Sequence, residues 1–394
     1  MRLFLFASLI LLAACAVREE VDFVQGPAEG TVRQDVLVGT TRGADPTQPV
    51  PGWSRSPEVT YGRYVVSIPP DREPGAIPRQ RPRSQADPQR HFMLAGTEAL
   101  NAPGFVRALR AELAEQPSAQ REAVVFVHGF NTAFIEGVYR TAQLDYDLHI
   151  PGVMLHYSWP SLGAPLAYAH DRDSALFARD GLIDMLHQVR AAGPRRIILI
   201  GHSMGAHLTM EVLRQLALTR DPAMAAIGGV ILISPDIDVE LFRQQVRAIG
   251  PLPETFMIVT SQRDRVLTLS ASLTGERSRL GNLSSAEDVA GLGVTLVDVS
   301  AFGTGAGHFT AGSSPALIGL FAQMNAFNLA LGQETSGSVP LLPATILTLQ
   351  NTTEIILNPL SGETRRGGRA VLPWWMRRLV TGDETLAETD GSSR

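Results

Sequence analysis

Gly201-His202-Ser203-Met204-Gly205 carries the clearest chemistry in the sequence. A serine hydroxyl attacks an acyl carbon only when it is lifted into the open beside a base, and a strand-to-helix turn does that lifting. Such a turn leaves room only for small residues two positions either side of the serine. Gly201 and Gly205 meet that need. Residues 197–200 read as a strand before the turn. After it, Ala206, Met210, Leu213 and Ala217 share one helical face.

The serine needs partners, expected in the chain order serine, acid, histidine. Two histidines lie downstream. His207 sits on the nucleophile's own helix and faces the wrong way, which leaves His308, at the end of Gly303-Thr304-Gly305-Ala306-Gly307, as the base. Asp264 follows the apolar run 256–259, one strand before that loop, and is the expected acid. Asp236, one strand earlier, is the alternative acid, and Asp238 beside it suits a helix cap. An oxyanion needs two aimed N–H groups. Met204 offers one, and Phe130, with Gly129 behind it, offers the other from His128-Gly129-Phe130-Asn131. The nine histidines show no ligand spacing and no H-E-x-x-H, so neither a metal nor another cofactor is expected. Tyr157-Ser158-Trp159-Pro160-Ser161 suits a pocket rim and a packed strand end equally well. Asp171-Arg172-Asp173 reads as a solvated charged turn.

Elements must bring these residues together. Runs 124–127, 153–157, 197–200, 230–233, 256–259 and 294–297 are short and mostly apolar, and helical patterns over 134–147, 166–189 and 206–218 separate the first of them. Strands buried on both faces and alternating with helices define an α/β fold, a mostly parallel sheet flanked by helices. Residues 35–39 and 64–68 read as earlier strands, and 344–349 with 354–357 as a late hairpin.

The chain has 394 residues, 44% hydrophobic and 19% charged, with a formal net charge of −5. That balance lacks the basic footprint of a nucleic-acid binder, so no nucleic-acid partner is expected, and protein partners stay unspecified. The order Met1-Arg2, an apolar run over 3–12, Ala13-Ala14 and then the only cysteine, Cys15, reads as a secretory signal. Leu12-Ala13-Ala14-Cys15 resembles a bacterial lipobox, which implies lipidation at Cys15 and a membrane anchor in the cell envelope. By the same resemblance, Ala16 in place of an aspartate points to the periplasmic face of the outer membrane. The expected organisation is signal and anchor over 1–15, tether over 16–34, hydrolase domain over 35–331 and C-terminal extension over 332–394. Arg365 to Arg369 and Trp374 to Arg378 are a basic-aromatic segment of that extension, read as packed tryptophans with solvated arginines or as a membrane contact.

Val127 to Thr132, Tyr139 to Gln143, Tyr157 to Ser161, Gly201 to Gly205 and Ser234-Pro235-Asp236-Ile237-Asp238 together resemble a bacterial family of α/β-hydrolases, largely uncharacterised biochemically. Val38-Gly39-Thr40-Thr41-Arg42 is similar to its opening strand. The resemblance spans roughly residues 35–324 and implies the α/β-hydrolase fold with a Ser203, Asp264 and His308 arrangement. The expected activity is hydrolysis of a carboxylic ester or related acyl bond in a small molecule, through an acyl-enzyme. The alternative is a hydrolase fold kept as a non-catalytic binding or scaffold lipoprotein.

Overall fold

The computed structural model describes residues 21–24, 28–80, 85–164, 166–275, 278–283, 285–302, 308, 310–315, 318, 344–349 and 352–357. Cys15 with its signal, the glycines preceding His308 and the basic-aromatic C-terminal segment lie outside them.

Strands β1 (Val32–Arg42), β2 (Arg55–Ile68) and β3 (Met93–Leu100) pair antiparallel in succession. Helix α1 (Ala102–Glu115) follows, its first turn capped by the Asn101 side chain, which accepts from the Gly104 N–H. Alternation then begins: β4 (Ala123–Val127), α2 (Phe134–Leu148), β5 (Val153–Ser158), α3 (Tyr168–Phe177), α4 (Arg179–Ala192), β6 (Ile197–His202) and α5 (Met204–Thr219). It continues through β7 (Ile227–Ile233), α6 (Val239–Ile249), β8 (Thr255–Thr260), α7 (Arg265–Thr274), β9 (Thr295–Asp298) and a single turn, α8 (Thr310–Ser313). The late hairpin is β10 (Ala344–Leu349) with β11 (Thr352–Leu357). One long helix over 166–189 was expected. The chain instead makes two, meeting at Ala178, whose φ of −78° and ψ of −2° depart from helical values.

Among the described residues the eleven strands form one sheet, in the order β10-β11-β9-β8-β7-β6-β4-β5-β1-β2-β3. From β11 to β1 every neighbouring pair is parallel. The hairpin of the C-terminal segment therefore belongs to the same sheet as the nucleophile strand. Strand order reverses between β4 and β6: the chain runs one way through β5 and the other way through β7, β8 and β9. Connections leaving opposite ways open a crevice at the carboxyl ends of such strands, where ligands bind in open α/β sheets. The loop after β4 and the turn after β6 flank that crevice.

Both faces of the sheet are covered. Val125, Val127 and Leu199 face a core built with α1, α4, α5 and α6, while Val124, Phe126 and Ile200 face the other way. Phe134, Ile135 and Val138 of α2 pack with Val36 and Val38 on that second face. Every residue of β4 and β5 is buried, which explains why β4 is apolar without alternation and why the polar His156 and Ser158 of β5 are hydrogen-bonded.

Candidate active site

Ser203 stands alone between β6 and α5 with φ 53° and ψ −118°. A serine held there stores about 1–3 kcal/mol of backbone strain, so the surroundings must fix it. The Ser203 N–H donates to Ile233 O (3.0 Å), and Ser203 O accepts from the Asp236 N–H (3.2 Å). Sterics then settle the two glycines. A Cβ on Gly201 would come within 2.7 Å of Ala206 Cα, and one on Gly205 within 2.2 Å of His128 O. The turn is tight because α5 starts directly against the loop after β4.

The structure brings Ser203, His308 and Asp264 together. His308 Nε2 lies 3.0 Å from Ser203 Oγ, and His308 Nδ1 lies 2.8 Å from Asp264 Oδ2. A carboxylate only accepts, so Nδ1 carries the proton and Nε2 is left to accept from the hydroxyl. Asp264 is fully buried, and its other oxygen caps α7, accepting from the Val266 and Leu267 N–H groups at 3.0 Å each. Asp236 is elsewhere engaged. It accepts from Tyr168 Oη (2.8 Å) and Ser270 Oγ (2.7 Å) and pairs with Arg279 Nε at 3.2 Å. Asp238 caps α6 through the Leu241 N–H (2.8 Å). His202 lies beside His308, the rings tilted by 54° with centroids 4.9 Å apart, and desolvation holds it well below the usual histidine range, hence neutral.

Gly129 abuts the nucleophile: a Cβ there would lie 2.7 Å from His202 Nδ1 and 3.0 Å from Ser203 Cβ. Among the described residues the N–H groups of Phe130 and Met204 have no hydrogen-bond partner. The ring of His128 meets Gly129 O through Nδ1 at 2.9 Å. In a planar trans peptide that turns the Phe130 N–H away from the ring. His128 itself is buried, stacked on Trp159 at 4.8 Å and pushed well below its usual pKa by burial, with Arg42 adding to the effect. Trp159 is wholly buried, so it packs under the loop and does not line a rim.

Two residues outside the expected set hold this loop in place. Arg42, buried at the end of β1, donates to Ser158 Oγ (2.9 Å), Ser161 O (2.9 Å), Gly52 O (3.2 Å) and Thr132 O (2.8 Å). Burial lowers its pKa to about 9, opposed by Asp171 and Glu136, and it stays charged at neutral pH. The reading of Asp171 as part of a solvated turn is wrong. Its side chain is fully buried, because Ser161 Oγ (2.6 Å) and the Leu162 N–H (2.8 Å) donate to it. The Asn131 N–H approaches the same carboxylate at 3.4 Å. Arg42 was reachable from the opening-strand resemblance, whereas Asp171 had no signal beyond its type. Among the described residues no three His, Cys, Asp or Glu side chains converge to hold a metal, and no helix is long and apolar enough to cross a membrane.

A mostly parallel sheet with helices on both faces, and a strained serine between β6 and α5, define the α/β-hydrolase fold. A family model described as "Alpha/beta hydrolase of unknown function (DUF900)" matches residues 106–324, more than half the chain, and the protein belongs to that family of hydrolases. No curated protein matches. Among solved structures, a cutinase-like protein from Cryptococcus sp. is similar at 15% identity, covering 51% of this chain and 91% of that one, with a TM-score of 0.28. A structure from work on two fungal esterases of Rhizomucor miehei is similar at 13% identity, covering 81% of this chain and 86% of that one, with a TM-score of 0.35. Likenesses this distant carry no argument about substrate.

Proposed function

We propose that the protein is a serine hydrolase that cleaves a carboxylic ester or related acyl bond through an acyl-enzyme. The observation that carries this reading is the imidazole of His308, 3.0 Å from Ser203 Oγ on one side and 2.8 Å from Asp264 on the other. Ser203 Oγ adds to the carbonyl carbon while Nε2 takes its proton, and the carbonyl π pair moves onto oxygen. The N–H groups of Phe130 and Met204 receive that oxyanion, with Gly129 leaving the space for it. Collapse breaks the bond to the alcohol oxygen, which leaves with the proton from Nε2. Water then adds to the acyl-enzyme, giving a proton to Nε2. The second collapse frees the acid and returns the proton to Ser203. Asp264 stays ionised, holding the tautomer and stabilising the imidazolium.

A fluorophosphonate probe tests the proposal. Wild type should be labelled at Ser203, and Ser203→Ala should lose both labelling and p-nitrophenyl ester turnover, by about 10⁴-fold or more. Folded wild type that resists the probe would favour a binding or scaffold role for the fold. Labelling that survives in Ser203→Ala would remove this serine from the chemistry.

A further inference from the structure

Tyr168 opens α3 beside the loop after β4, and Asp171 follows it three residues later on the same helical face. Their side chains reach consecutive residues of that loop. The Tyr168 ring meets the Phe130 ring edge-on, with centroids 5.5 Å apart and planes at 70°, while the Asp171 carboxylate accepts from the Asn131 N–H at 3.4 Å. At its far end Tyr168 is pinned. Its hydroxyl donates to Asp236 Oδ2 (2.8 Å) and lies 2.8 Å from Ser270 Oγ, which donates to Asp236 Oδ1 (2.7 Å). Burial, with Asp236 adding to it, raises the phenol pKa to about 12, so the oxygen keeps the proton it donates. Both anchors lead back to the reaction centre. The Asp236 N–H donates to Ser203 O (3.2 Å), and Ser270 belongs to α7, the helix that Asp264 caps. One half-buried tyrosine therefore joins the three segments that carry Phe130, Ser203 and Asp264.

We propose that Tyr168 is a positioning residue, which holds the Phe130 N–H at the distance from Ser203 that an oxyanion requires. The proposal rests on the serine-hydrolase reading above. Edge-to-face rings attract in a preferred geometry, so a tyrosine fixed at its hydroxyl restrains the Phe130 side chain and, through Cα, the N–H beside it. Shifting that N–H by a fraction of an ångström leaves substrate binding intact. It weakens only the contact that tightens as charge develops on the carbonyl oxygen. The effect of Tyr168 therefore belongs in kcat and not in KM.

Turnover of p-nitrophenyl butyrate tests the assignment, with an alkyl trifluoromethyl ketone as the probe of the oxyanion site. Ser203 Oγ adds to that ketone, its proton passing to His308 Nε2 and the carbonyl π pair to oxygen, so the adduct carries the intermediate's charge. Tyr168→Phe keeps the ring and frees it from Asp236. It should lower kcat about tenfold, short of the 10²–10³ for deleting a donor outright, with KM within about twofold. The inhibition constant of the trifluoromethyl ketone should rise by a similar factor, while that of the matching methyl ketone, which binds without adding, stays at the wild-type value. Phe130→Leu retains the N–H and loses the ring, so in that background Tyr168→Phe should cost less than about twofold. Ser270→Ala removes one anchor, leaves Tyr168 whole and should act in the same direction, a second route should Tyr168→Phe fail to fold. Unchanged kcat and unchanged ketone inhibition in Tyr168→Phe and Ser270→Ala would overturn the proposal while the hydrolase reading stands. So would additive losses in the double variant, or a loss shared equally by the two ketones, since either marks a general effect on the pocket. Absence of wild-type turnover together with absence of fluorophosphonate labelling would overturn the hydrolase reading, and the role of Tyr168 with it.

Discussion

Asp264 and Asp236 follow adjacent strands, and their surroundings assign them different work. Asp264→Asn keeps an oxygen for the first turn of α7 but favours the wrong imidazole tautomer. It should lower kcat by roughly 10³–10⁴ with a small change in Tm. Asp236→Asn instead breaks a buried pair with Arg279, whose side chain is 5% exposed. Taking one charge out of that buried pair should cost about 1–3 kcal/mol, a loss that thermal melts resolve. The folded fraction of Asp236→Asn should still label at Ser203; loss of labelling below its Tm would return Asp236 to the reaction. Sequence order already favoured Asp264, because each acid could be placed after a recognisable strand. Arg42 and Asp171 were less legible. Burial of a charge depends on partners far along the chain, and Arg42 meets Thr132 and Ser161 across 90 and 119 positions.

At the scale of elements, the register of α5 against β4 depends on one missing methyl group. A Cβ at position 205 would overlap two carbonyl oxygens, His128 O at 2.2 Å and Val127 O at 2.4 Å, and backbone cannot swing aside as a flexible side chain does. Gly205→Ala should therefore destabilise the fold by about 3 kcal/mol or more, read as a drop in the denaturation midpoint. A near-neutral result would mean that α5 slides freely on β4. The strands from β4 onward were readable because covering both faces of a parallel sheet favours apolar residues at most positions. The same logic explains what was not readable. β3 is half exposed and holds Gly96 and Ala99, so it shows no strong run. α1 begins Ala102-Pro103-Gly104, which looks like a turn, although proline is tolerated in a first helical turn. The break at Ala178 falls at an alanine within an amphipathic stretch, and the nearest glycine, Gly181, sits inside the following helix.

Across the whole molecule, buried ionisable groups pull stability in opposite directions with pH. His128 and His156 are buried and His202 is partly buried, and desolvation lowers all three, His156 to about 3. Each takes a proton only in the unfolded chain as pH falls through about 6.5, so each subtracts stability in acid. Asp145 and Glu112 act oppositely. Burial raises both to about 7, so the stability they contribute is full below their unfolded values, near 4, and is lost as pH rises through 7. Asparagine mimics the protonated form. Asp145→Asn should therefore gain Tm relative to wild type between pH 5 and pH 8, by a few degrees, about 1 kcal/mol for a chain of this size. A difference that stays flat across that range would show that Asp145 ionises without cost. One carboxylate also ties the periphery to the chemistry. Asp264 steadies a helix with one oxygen and an imidazole with the other, while Leu269 on that helix stands 60% exposed. The position of the catalytic ring is thus tied to the placement of α7, whose outer side meets solvent.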